Sequence, residues 1–333
     1  MELDLNLPGA IALFLGASAV VVFSAIALAR AGDVIAERTG LGHLWVGSLL
    51  IAGATSLPEL VTNVTAVRID NPGLAAGNIL GANMLNVSNL AIIAAVFGGR
   101  EIYRRLSKGQ EYLAIEAFIL TALAATYVLI GSDSNWFGVT PAAISIIVIY
   151  LAGSRVLYVA SKSGAAAEVQ GDAPDKSLRW GWSVFLISAA FVAVSAWALA
   201  FSADAIADET GISASFIGVL AVAIVTTLPE LTVGITSIRI GAPEMAIAGL
   251  YGSNAFNIAI LAVADLAYVE GSLFGSLEES HVIAGGFAVL LMGIGLLQMR
   301  MRRTLKYFSL TEPSTILIVA IYLVGLSLVF RAG

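Results

Sequence analysis

The sequence predicts an all-α integral membrane protein of ten transmembrane helices, arranged as two inverted five-helix repeats. Three observations carry that prediction. Of 333 residues, 59% are hydrophobic and only 12% charged, with a mean hydropathy of +0.92, whereas a soluble domain carries about 25% charged residues. The apolar residues gather into ten runs near the roughly 20 helical residues that cross a hydrocarbon layer about 30 Å thick. The chain also repeats itself: a shift of 171 residues aligns 55–91 with 226–262 without a gap, with 15 of 37 positions identical.

The first run, about 10–29, follows MELDLNLPG, which lacks the basic n-region and small-residue cleavage site of a secretory signal. A retained membrane helix is expected. The runs at about 43–67 and 72–98 bear the motif residues of the first half, and those at about 112–130 and 136–155 complete it. The stretch 161–179, SKSGAAAEVQGDAPDKSLR, reads as a short cytoplasmic linker between a first half, 1–160, and a second, 180–333. That second half holds runs at about 181–203, 213–238, 243–265, 282–299 and 313–330.

Charge placement supports this count. With loops alternating sides from an outside N-terminus, 15 of the 17 Lys and Arg fall inside, and only Arg68 and Arg331 remain outside. Such a positive-inside bias fits a multi-pass protein of the cell (inner or plasma) membrane with both termini outside. The basic clusters at 100–108 and 300–306 each abut a span, so a nucleic-acid surface is not expected. Without Cys there is no disulfide framework, thiolate nucleophile or Cys metal site. His43 and His281, at expected helix ends, read as solvated loop residues.

The repeat is detailed. Thr55-Ser56-Leu57-Pro58-Glu59-Leu60 falls on Thr226-Thr227-Leu228-Pro229-Glu230-Leu231, Arg68-Ile69 on Arg239-Ile240, and Pro72 on Pro243. Gly81-Ala82-Asn83 falls on Gly252-Ser253-Asn254 and Asn86 on Asn257; upstream, Asp33 matches Asp204 and Gly47 matches Gly218. Five spans separate equivalent points, and five is odd, so the copies face opposite ways across the bilayer. Inverted repeats around interrupted helices are the architecture of alternating-access secondary transporters.

Glu59 and Glu230 stand near the middle of uncharged spans, where a carboxylate costs at least a few kcal/mol. Helices 2, 3, 7 and 8 offer no basic residue away from their ends, which leaves a cation from solution as partner; a protonated structural pair is the competing reading. Pro58 and Pro229 cannot donate to the carbonyls of Ala54 and Val225, so each opens its helix and frees backbone oxygens. The bland reading is a packing kink. Asn83 and Asn86, and equally Asn254 and Asn257, are three apart and share a helix face; Ser253 adds a hydroxyl. Gly81 and Gly252 fit close helix packing, and Asn78, Ser88 and Asn89 read as interhelical hydrogen-bonders. Glu116 and Asp265 have no counterpart in the other copy and read as boundary or interhelical residues.

All these donors are hard oxygens, which suit Ca²⁺ and the alkali ions. Zinc, copper and iron are disfavoured without Cys or membrane-buried His, and a dehydrated cage suits Mg²⁺ poorly. Two glutamates give −2, balanced by one Ca²⁺; empty, the pair would repel by about 3 kcal/mol at roughly 6 Å with an effective dielectric near 20. The return step then needs Na⁺ or H⁺. No H-E-x-x-H or nucleophile system suggests an enzyme, and no prosthetic group or obligate protein partner is indicated. A passive channel is a further alternative.

The two motifs, Ala54-Thr-Ser-Leu-Pro-Glu59 with Gly81-Ala-Asn-Met-Leu-Asn86 and Val225-Thr-Thr-Leu-Pro-Glu230 with Gly252-Ser-Asn-Ala-Phe-Asn257, resemble the α-repeats of the cation/Ca²⁺ exchanger (CaCA) superfamily. The likeness is strongest to its prokaryotic Na⁺/Ca²⁺ exchangers. It implies the sodium/calcium exchanger fold and Ca²⁺/Na⁺ antiport, with Glu59 and Glu230 binding Ca²⁺ and sharing in Na⁺ binding. It further implies backbone ligation at Thr55 and Thr226, and flanking Na⁺ sites at the Ala52 and Ala223 carbonyls and the Ser56 and Thr227 hydroxyls. Ser253, Asn86 and Asn257 are implied to line the same cavity. Helices 1 and 6 would slide as a gate, leaving Asp33 and Asp204 at the surface. Two departures stand out: Ala82 replaces the family's usual Ser, and Asn257 replaces the Asp of some members. Both weaken three-Na⁺ coupling and keep H⁺/Ca²⁺ exchange, or a K⁺-dependent variant, as the alternative. The Gly-Asn pattern of the proton-coupled branch is absent.

Overall fold

The computed structural model describes residues 6–68, 70–97, 102, 106–131, 139–168, 176–210, 223–304 and 311–332. Helices account for nearly all of it, and there is no strand among the described residues. A hydrocarbon solvent cannot satisfy backbone N–H and C=O groups, so each crossing segment must satisfy its own. Among the described residues, eight helices are long and apolar enough to cross a membrane, or nine spans if the one bent pair is counted as a single crossing. The seventh expected run, 213–238, is described only from residue 223 onward, so the count of ten rests partly on residues outside the described set. Also outside it, or with undescribed side chains, are Asp204, Gly218 and Val225.

Helix α1, Leu7–Thr39, starts at Asn6, whose side chain accepts from the Gly9 amide at 3.0 Å, and stops at Gly40 in the left-handed region, φ 66°. It outruns the expected 10–29 because Arg30, Asp33, Glu37 and Arg38 end the uninterrupted apolar run without ending the helix, whose Ala31, Ile35 and Ala36 remain buried. Helix α2, Gly42–Thr55, turns by 46° into α3, Leu57–Arg68. Ser56 forms the break, with φ −90° and ψ 9°, which puts Pro58 in the first turn of α3, where a missing N–H loses no bond. Residues Val46–Ile51 of α2 form a π-helical stretch, a local widening common at functional sites that nothing in the sequence signalled.

Helices α4 (Pro72–Phe97), α5 (Lys108–Ile130) and α6 (Pro141–Glu168) complete the first half. The sixth helix continues through 161–168, part of the stretch read as linker. The second half holds α7 (Leu178–Thr210), α8 (Ala223–Thr226), α9 (Leu228–Arg239), α10 (Pro243–Ala267), α11 (Glu279–Thr304) and α12 (Thr311–Ala332).

The repeat is visible in backbone detail. Thr227, 171 residues after Ser56, breaks α8 from α9 with φ −87° and ψ 0°. Helices α3 and α9 end alike: Asn71 N donates to Ala66 O and Ala242 N to Ser237 O, both at 2.9 Å, around the left-handed residues Asp70 (φ 59°) and Gly241 (φ 88°). Aspartate is among the few non-glycine residues that adopt this region readily.

Helices α4 and α10 sit innermost, and α10 packs against α2 through α6 and against α9. Helices α1 and α7 pack along one another at the side of this core. Apolar side chains such as Phe23, Val148, Leu186 and Leu323 face outward, as a lipid solvent requires.

Several expectations change here. His43 and His281 are half-buried and engaged, not solvated loop residues. His43 Nε2 lies 2.8 Å from Asp33 Oδ1, because the two-residue connection at 40–41 folds the start of α2 back on α1; Asp33 is correspondingly a half-buried pairing residue. His281 Nε2 lies 2.9 Å from the Gly73 carbonyl. Ser88 bonds the Met84 carbonyl of its own helix at 3.1 Å and Asn78 has no side-chain hydrogen bond among the described residues, so neither is an interhelical hydrogen-bonder. Asp265 and Glu116 do act between helices. Asp265 accepts from the Thr140 hydroxyl and from Leu273 N at 2.8 Å, joining α10 to the start of α6. The Glu116 carboxyl of α5 occupies the space where Gly153 of α6 lacks a side chain.

Candidate cation site

Each break places a glutamate in the first turn of a new helix, Glu59 in α3 and Glu230 in α9. There the unpaired N–H groups and the positive end of the helix dipole favour a carboxylate. This lowers the cost of burying charge, and both side chains are buried, with relative exposures of 0% and 4%.

The hydroxyls cross between repeats. Ser56 Oγ donates to Glu230 Oε1 at 3.4 Å, and Thr55 and Ser253 lie beside the same carboxylate, their hydroxyls 3.4 Å apart. Thr226 lies beside Glu59. Each carboxylate therefore faces the break of the other copy. The lining is unequal, because Ala82 stands where Ser253 stands in the second copy, and the Thr227 hydroxyl donates to the Ile224 carbonyl of α8 at 3.4 Å. Neither oxygen of Glu59, nor Glu230 Oε2, has a hydrogen-bond partner among the described residues.

Helices α4 and α10 contribute buried amides. Asn86 Nδ2 donates to Asn254 Oδ1, Asn257 Nδ2 to Asn83 Oδ1, and Asn83 Nδ2 to the Asn254 carbonyl, each at 3.1 Å. Close packing brings these helices to the breaks: a Cβ on Gly252 would lie 2.5 Å from Ser48 O, and one on Gly47 2.8 Å from Met245 O.

Of the residues singled out in the sequence, Glu59, Glu230, Thr55, Ser56, Thr226 and Ser253 converge, and Asn86 and Asn257 join the adjoining amide network. The Ala52 carbonyl is already engaged, accepting from Ser56 N at 3.0 Å and from Thr55 Oγ1 at 3.3 Å. Ala223 opens helix α8. Sequence reasoning missed Asn63, fully buried and donating to the Glu59 carbonyl at 2.7 Å. Its spacing of four from Glu59 on one helix was the available signal.

Two buried carboxylates with hydroxyl and amide oxygens make a hard-oxygen donor set, suited chemically to a dehydrated hard cation. Unpartnered buried anionic oxygens are expensive unless a cation or proton joins them.

The sequence model for sodium/calcium exchanger protein matches residues 9–159 and again 180–331. The inner membrane protein YrbG of Escherichia coli is 26% identical over 73% of this chain and 74% of its own. The putative antiporter CaxA of Alkalimonas amylolytica is 25% identical over 84% of this chain and 88% of its own. A solved structure of the sodium-calcium exchanger NCX_Mj superposes with a TM-score of 0.73 at 22% identity, covering 97% of this chain and 99% of that one; at that identity the likeness establishes the exchanger fold. With both halves matched by one family and the fold shared throughout, the chain belongs to the sodium/calcium exchanger protein family.

Proposed function

We propose that this protein is a secondary antiporter that exchanges Ca²⁺ for Na⁺ across the cell membrane by alternating access, with both termini outside. Its two halves, 1–160 and 180–333, hold the ion between them. The observation that carries this reading is the pair of buried carboxylates, Glu59 and Glu230, three of whose four oxygens have no hydrogen-bond partner among the described residues. One Ca²⁺ neutralises the pair, with the Thr55, Ser56, Thr226 and Ser253 oxygens and the Asn86 and Asn257 amides completing a shell of six to eight oxygens. On leaving, Ca²⁺ uncovers two negative charges, and a site so charged moves across the barrier only when other cations replace it. That requirement makes the cycle an exchange. Helices α1 and α7, packed along one another outside the core, are suited to move against it as a gate.

One observation favours H⁺ as a partial replacement for Na⁺. On the Glu59 side, Ala82 supplies no hydroxyl and Thr227 turns away, so a second Na⁺ would find few ligands there. Ca²⁺ uptake into proteoliposomes separates the readings. With internal pH clamped, an outward Na⁺ gradient should drive uptake; uptake that ignores Na⁺ and follows a pH gradient would replace Na⁺ with H⁺ as counter-ion, and uptake without any counter-gradient would indicate a channel.

A further inference from the structure

We propose that Asn83 and Asn254 are positioning residues that lock the Asn257 and Asn86 amides with their carbonyl oxygens presented to the cation. This rests on the cation-binding reading of the site. The orientation of each amide follows from what its neighbours can do. A backbone carbonyl only accepts, so the Asn83 group 3.1 Å from the Asn254 carbonyl is its Nδ2. The other end of Asn83 is then Oδ1, and Asn257 must meet it with Nδ2, at 3.1 Å. That leaves Asn257 Oδ1, fully buried and without a partner among the described residues.

The same logic holds 171 residues away. Asn254 Nδ2 points at Met292 Sδ at 3.7 Å, and a thioether sulfur only accepts. Asn254 Oδ1 therefore faces Asn86, which donates Nδ2 at 3.1 Å and leaves Asn86 Oδ1 buried and unpartnered. The two amides related by the repeat are thus locked the same way, each by the partner copy, and each with one acceptor to spare. Ser253, the residue before Asn254, lies beside Glu230, so the clamp adjoins the carboxylate pair. An Asn amide has two nearly isosteric ends, one attracting and one repelling a cation, and a locked orientation removes the repelling choice. Asn83 and Asn254 act on the ion only through Asn257 and Asn86.

The test is a double-mutant cycle on the full-length protein in detergent, read by equilibrium ⁴⁵Ca²⁺ binding with the melting temperature alongside. In N83A the Asn257 amide is free to turn its NH₂ group inward, and Ca²⁺ affinity should fall about 10-fold or more, as with other partners that orient metal ligands. In N257D both side-chain ends are oxygens, so one faces the cation in either orientation while the other opposes Asn83 Oδ1; adding N83A removes that opposition and should not lower affinity further. A merely structural role for Asn83 would lower affinity and melting temperature alike in both backgrounds, and that outcome, or unchanged affinity in N83A, overturns the proposal. Where N83A does not fold, N83S enters the same cycle, and N254A with N86D repeats it in the other copy under the same criteria. A wild-type protein that binds no Ca²⁺, or an E59Q variant that binds it normally, would instead remove the cation-binding reading itself.

Discussion

Replacing Gly252 with alanine probes the contact on which the site's geometry depends. The added Cβ would lie 2.5 Å from Ser48 O, 2.7 Å from Ser48 Cα and 2.9 Å from Ser48 C. All three atoms are backbone of the π-helical stretch in α2, so no side-chain rotation relieves the overlap. To reach even the 3.0 Å that real Cβ contacts respect, α10 and α2 must part by at least about 0.5 Å at this point. Overpacking of this kind costs about 1–3 kcal/mol, and the better helix propensity of alanine returns at most about 1 kcal/mol. With the full propensity gain subtracted, a net loss of up to about 2 kcal/mol is expected. The displacement also carries Ser253, the next residue, away from Thr55 and Glu230, so Ca²⁺ affinity should fall as well. Gly286→Ala on α11, whose Cβ would meet nothing within 4 Å, is the control: it gains the same helix propensity without the overlap and should melt no lower than the wild type. Thermal unfolding in detergent with and without Ca²⁺ reads both effects. A Gly252→Ala protein with wild-type melting temperature and wild-type Ca²⁺ affinity would refute the reasoning.

Other substitutions separate ligand geometry from packing. Ala82→Ser restores a hydroxyl beside the Glu59 half of the site and should sharpen the Na⁺ dependence of Ca²⁺ flux; unchanged Na⁺ activation would remove position 82 from the Na⁺ ligands. Ser56→Ala deletes the hydroxyl that reaches Glu230 and should weaken Ca²⁺ binding by about 1 kcal/mol, roughly fivefold. Wild-type Ca²⁺ affinity in Ser56→Ala would mean that the crossed hydroxyl contributes nothing. Asp265→Ala strands Thr140 Oγ1 and Leu273 N, and a buried polar group left without its partner costs about 1–3 kcal/mol. A lower melting temperature should result, with wild-type Ca²⁺ affinity in the folded fraction; a selective loss of affinity would assign Asp265 to the ion path.

Much of this was legible in the sequence because the bilayer leaves so few solutions. A run of about twenty apolar residues must be a helix, and a Glu inside one must have a partner. The repeat then supplied the pairing of Glu59 with Glu230, and the proline in each motif placed a break next to each carboxylate. What stayed hidden depends on long-range packing. The π-helical stretch at 46–51 has no composition signal, and it sets the close approach of Ser48 to Gly252. The crossing of hydroxyls, with Ser56 on Glu230, follows from how the two copies dock. His43 and His281 read as solvated because their partners, Asp33 and the Gly73 carbonyl, lie on other helices. Ser88 misled for the converse reason: a polar side chain in a membrane helix can turn to its own backbone, as this one does to Met84 O.

The central claim is that Glu59 and Glu230 together hold the transported Ca²⁺. Its most direct test is Ca²⁺ flux by Glu59→Gln and Glu230→Gln proteins reconstituted beside the wild type, with folding checked by size-exclusion profile and helical content. Each substitution keeps the side chain's size and removes one of the two charges that balance Ca²⁺. The account expects both variants to fold and neither to move Ca²⁺; wild-type-like flux from either one would contradict it.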